Sequence, residues 1–187
     1  MRLLALLASL VVGGKIALGD TPPLNITALS SRDGYSVLEC WQLLSPPVNY
    51  LSAVNYALGN TTVATWSRIE PRTTVGEAWA PHVQLSVVLN GLIRITAPAP
   101  GCGSTSVPTL CPRNGLASGP RPSEAVAYLM PGTALSSVLI AADLKASSTL
   151  AGHFTEFPSD EATILVQIPF VGDKAPTHMI LHDGPCM

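Results

Sequence analysis

Two β-rich runs between Val83 and Ala97 flank the dipeptide Asn90-Gly91. Both residues tolerate positive φ, and such a pair between strands predicts a tight hairpin. Pro98 ends the second run. The same punctuation recurs along the chain. Tyr35 to Leu44 is β-branched and aromatic and stops at Pro46-Pro47, and Thr62 to Ile69 alternates toward Pro71. Ala125 to Met130, Ser136 to Ala142, Thr149 to Phe157, Glu161 to Ile168 and Thr177 to Leu181 read as further short strands. Turns at Pro131-Gly132, Pro158-Ser159 and Gly172-Asp173 separate several of them. Short strands at regular turn spacing predict an all-β sandwich or closed barrel. Composition agrees. Charged residues make up only 12% of the 187 residues, while Pro and Gly number 17 and 15, which excludes a long-helix protein. One domain accounts for the length.

Residues 1–19 read as a signal peptide. Arg2 precedes an apolar run, Leu3 to Val12, too short to span a bilayer, and Ala17-Leu18-Gly19 supplies small residues for cleavage after Gly19. No later segment is long and apolar enough to anchor the chain, so a secreted, extracellular protein without membrane association is expected. Cleavage removes Arg2 and Lys15 and changes the net charge from −2 to −4. No basic run is present to neutralise phosphates, which argues against nucleic-acid partners. Residues 20–34 read as an N-terminal arm and 35–187 as the folded domain.

Secretion makes disulfides the default for the four cysteines. Cys102 and Cys111 flank a Gly-, Ser-, Thr- and Pro-rich stretch within the long loop 98–123 and are expected to close it. Cys40 then pairs with Cys186. Free thiols or a swapped pairing stay open on sequence alone. The sequons at Asn25 and Asn60 mark candidate glycosylation sites.

The segment Gly76-Glu77-Ala78-Trp79-Ala80-Pro81-His82-Val83-Gln84, leading into Leu85 to Gly91, resembles the first motif of cupins. Gly152 to Pro158 reproduces the glycine-to-proline spacing of their second motif, and the run to Gln167 completes its frame. More narrowly, four pieces resemble small secreted cupin-like proteins of fungi. They are Val37 to Leu43, Leu139 to Asp143, Phe157 to Glu161, and the tail Leu181 to Cys186. The resemblance implies a jelly-roll barrel and supports the Cys40–Cys186 pairing.

The departures matter more than the match. The motif positions that would supply histidines hold Ala78, Ala80 and Thr163, and the acidic position holds Gln84. Counting one extra residue puts Glu77 and Trp79 in the first two positions. Alanine has no lone pair to offer, and neutral oxygens of Thr and Gln are poor substitutes for imidazole and carboxylate. No metal or other cofactor is therefore expected.

His82 shares strand parity with Ala78, Ala80 and Gln84, which predicts that it points into the barrel. His153 follows the motif glycine and is expected in a turn outside the mouth. His178 and His182, four apart on extended chain, should share a face. Trp41 and Trp66 are expected in the core, and Trp79 near the mouth. Asp160 and Glu161 are adjacent, so on a strand they face opposite sides and cannot act as a pair. Neither a nucleophile elbow nor a phosphate-binding glycine loop is present. Trp79, His82, Gln84 and Thr163 are thus the candidate ligand-binding residues, and no catalytic residue is assigned. The leading expectation is a metal-free cupin-like protein that binds a small molecule, a carbohydrate or a cell-wall or host component. The alternatives are a divergent metal-dependent cupin oxygenase or isomerase using His82 with Glu77 or Gln84, and a purely structural or effector-like secreted protein.

Overall fold

The computed structural model describes residues 21–100 and 121–187. The leader and the Cys102–Cys111 loop lie outside the described residues. What is described is all-β. β1 (Asn25–Arg32) and β2 (Tyr35–Leu43) form a hairpin, and the short β3 (Val48–Tyr50) and β4 (Ala53–Asn55) form another. Then follow β5 (Thr65–Ile69), β6 (Thr73–Ala78), β7 (Gln84–Asn90) and β8 (Ile93–Ala97). β9 (Ala125–Leu129), β10 (Val138–Ala141), β11 (His153–Phe157), β12 (Thr163–Pro169) and β13 (His178–Asp183) complete the set. A seven-stranded sheet has the order β13-β2-β1-β10-β7-β12-β5, and a four-stranded sheet the order β6-β11-β8-β9. Both sheets end in edge strands among the described residues, so the expected barrel is not closed. The architecture is a sandwich of these two sheets, with β3 and β4 as a separate two-stranded sheet.

Side-chain alternation builds two apolar layers. Leu29, Leu38, Val88 and Leu139 of the large sheet meet Ile93, Ile95, Leu129 and Phe157 of the small one. On the outer face of the large sheet, Ile26, Ala28, Trp41, Leu85 and Ile140 pack with Phe170, Leu24 and Leu58 from flanking segments. The central strands β1 and β10 run parallel and are covered on both sides. That is why Val138-Leu139-Ile140-Ala141 is apolar without alternation.

Three sequence expectations are corrected here. The segment 20–34 is not an arm, because it contains β1. Ile26 and Ala28 serve the outer layer and Leu29 the inner one. Asp33 and Gly34, with φ of 52° and 84°, make the two-residue turn that pairs Arg32 with Tyr35. Second, Asn90-Gly91 does not close a hairpin. β7 lies between β10 and β12 in the large sheet, whereas β8 lies between β11 and β9 in the small one. Gly91 has φ of 79°, whereas Asn90 is not at positive φ, and its side-chain amide donates to the Ala162 carbonyl at 2.8 Å. The dipeptide carries the chain from one sheet to the other. Third, β3, β4 and β6 occupy segments in which no separate strand was expected.

Cys40 and Cys186 form a disulfide with a Cα–Cα distance of 4.7 Å. It joins β2 to the tail that follows β13. The Cys186 N–H donates to Thr27 Oγ1 at 3.0 Å, which extends the tie to β1.

Candidate functional site

The four sequence candidates do not converge. Gln84 begins β7, 5% exposed, opposite Ala141 on one side and Pro169 on the other. Thr163 is fully buried at the other end of β12, six residues from Pro169. At about 3.4 Å per residue the two lie roughly 20 Å apart. Thr163 packs on Gly91, where a Cβ would stand 2.5 Å from its Oγ1.

His82 does not point inward. β6 ends at Ala78 and β7 starts at Gln84, so the break between them ends the alternation that predicted its direction. Its side chain is 60% exposed, with Nδ1 3.2 Å from Asp173 Oδ1, which also accepts the Val83 N–H at 3.0 Å. Trp79 is half-buried and already engaged. Its indole N–H donates to the Ser148 carbonyl at 2.8 Å, and the Lys145 ammonium sits 4.7 Å from its ring centroid. Trp66 is not a core residue; it is 59% exposed on the outer face of β5. Trp41 is buried and stacks on His178 at 3.5 Å. His178 and His182 do not share a face. A bulge between Ile180 and His182 sets them against Leu43 and Cys40, which lie on opposite faces of β2.

The polar centre of the fold is one that sequence reasoning missed. Asp143, two residues beyond β10, is wholly buried. Its Oδ2 accepts from Ser36 Oγ and from His153 Nδ1, both at 2.6 Å, and its Oδ1 accepts the Ala80 N–H at 3.3 Å. Ser36 belongs to the large sheet and His153 to the small one, so the carboxylate spans the sandwich. His153 is therefore not in an outer turn; it is the first residue of β11 and 8% exposed. Since the carboxylate accepts, Nδ1 carries a hydrogen. Gly152 fixes the neighbouring backbone. A Cβ there would stand 2.3 Å from the Ala78 carbonyl oxygen and 2.8 Å from the Trp79 ring, and its N–H donates to Glu77 at 3.0 Å. The available sequence signal was an acid closing the apolar run Leu139 to Ala142, a place where burial demands several partners.

A lateral cleft of about 260 Å³ opens between β2 and the β8–β9 pair, lined by Val37, Leu38, Ala97, Ala125 and, at its rim, Arg32 and Asp183. Arg32 donates to Asp183 Oδ1 at 2.7 Å and lies 3.9 Å from the buried carboxylate of Glu39. The hydrogen bond from Arg32 holds the Asp183 carboxyl below its ordinary range, and the same bond raises the guanidinium.

These residues do not fit a cupin metal. Ala78 and Ala80 present methyl groups, Gln84 and Thr163 lie at opposite ends of the sandwich, and His153 has its Nδ1 committed to Asp143. Among the described residues no three His, Cys, Asp or Glu side chains come together. No protein-family model, curated protein or solved structure matches this chain.

Proposed function

We propose that this chain is a secreted, metal-free cupin-like protein of jelly-roll type that binds a small molecule or carbohydrate. The separation of Gln84 from Thr163 carries this reading, because a cupin reaction needs its donors around one point. Apolar side chains and the Asp143–Ser36–His153 centre fill the space between the sheets, which leaves binding to the periphery. The disulfide suits an oxidising compartment. The lateral cleft is the binding place the reading favours. Its lining mixes the apolar Val37, Leu38, Ala97 and Ala125 with polar surface, and its rim carries one guanidinium and one carboxylate, a pattern suited to a compact, partly polar ligand.

Two measurements on purified secreted protein test the proposal. Elemental analysis should find substoichiometric Mn, Fe, Ni, Cu and Zn. One equivalent of metal, lost together with thermal stability on chelation, would overturn the reading in favour of an enzyme. A screen of small molecules and soluble glycans should find a ligand whose binding is abolished by Ser123→Trp, which plugs the cleft from an exposed position. Absence of any ligand, or one indifferent to that plug, would count against it.

A further inference from the structure

We infer that the free edge of β5 is a self-recognition surface on which a second copy of this chain pairs antiparallel about Ser67. β5 ends the large sheet, and among the described residues nothing pairs with its outer edge. An unpaired row of backbone donors and acceptors templates another strand unless it is blunted. Thr65–Ile69 contains no Pro and no Lys, and its ladder with β12 runs without a bulge. The opposite edge strand, β13, is interrupted by its bulge and flanked by Pro176 and Pro185.

The side chains select the partner and the register. Trp66 and Arg68 are two apart, so both project from the outer face, where they are 59% and 50% exposed. A two-fold axis at Ser67 places Trp66 opposite Arg68 of the second copy, and Arg68 opposite its Trp66. Guanidinium over indole is a favourable pair, and the symmetry makes it twice. The same axis pairs Thr65 with Ile69 and uses all five residues of the strand. Moving the axis to Arg68 would oppose two like charges. Arg68 now pairs with Glu70, but both are exposed, and such pairs hold weakly.

Sedimentation analysis of the full secreted chain should show a reversible dimer. Trp66→Arg should weaken it roughly tenfold or more, because it sets Arg against Arg twice. The exchange Trp66→Arg with Arg68→Trp should restore it, since the cross-strand pairing is conserved. Ser67→Cys should form an intermolecular disulfide under mild oxidation, because paired strands bring opposite Cα atoms within bridging distance, whereas Thr65→Cys should not. A chain that stays monomeric at its solubility limit overturns the inference. So does a dimer in which the exchange fails to rescue, or in which Thr65→Cys cross-links as well as Ser67→Cys.

Discussion

At the scale of single residues, the fold depends on how its few buried polar groups are matched. Asp143 serves three donors from two sheets, so Asp143→Ala strands Ser36 Oγ, the Ala80 N–H and His153 together. Breaking such a centre should cost about 3–5 kcal/mol in urea unfolding, and His153→Ala, which leaves Ser36 and Ala80 on the carboxylate, should cost less. Equal losses for both would show that the carboxylate is not the hub. The Arg32–Asp183 pair is a contrasting case. Its folded carboxyl titrates below the unfolded one, so its contribution is present above the unfolded value and is lost as pH falls through the folded value. Both partners are exposed, so Asp183→Asn should change acid stability by less than about 1 kcal/mol, and only on that acid limb. Little of this was legible in the sequence. Cys40, Cys186 and the missing metal donors could be read from residue type. The burial of His153 could not, because it depends on a partner ten residues away across the sandwich.

At the scale of elements, local pattern placed most strands, and the one pairing it predicted, across Asn90-Gly91, is not made. Val83 to Ala97 does contain two strands, and Asn90-Gly91 does turn the chain. Which sheet each strand enters is decided by β10, β12, β11 and β9, none of which is local to the turn. The Asp33-Gly34 turn does close a two-residue hairpin, yet the Pro- and Ser-containing segment before it masked a strand buried on both faces. Two glycines separate these roles. Gly34→Ala puts a Cβ at φ of 84° and 3.0 Å from the flexible end of Leu150, and should cost about 1–2 kcal/mol. Gly91→Ala meets backbone as well, with Thr163 Cα at 2.8 Å, and should cost about 3 kcal/mol or more. Urea denaturation of the two variants gives the order directly, and a Gly91→Ala milder than Gly34→Ala would contradict the close crossing between the sheets.

At the scale of the whole molecule, one covalent link spans nearly the entire domain. Cys40 and Cys186 are 146 residues apart in sequence, and the bond fastens the C-terminal tail beside the first hairpin. Closing so long a loop removes much of the entropy of the unfolded chain, about 5 kcal/mol in the loop-entropy account. The noncovalent ties at the same edge are the β13–β2 ladder, the Trp41–His178 stack and the Cys186 N–H bond to Thr27. They act in the folded state, whereas the disulfide acts chiefly on the unfolded one. Cys40→Ala with Cys186→Ala should therefore leave the folded spectrum intact, lower stability by several kcal/mol, and steepen the denaturant dependence, because the released chain expands further on unfolding. His178→Ala should differ in the slope: it weakens the edge by about 1 kcal/mol without altering the denaturant dependence. If removing both cysteines leaves slope and midpoint unchanged, the ladder and the stack alone hold the tail, and the long-range bridge contributes no stability to the domain.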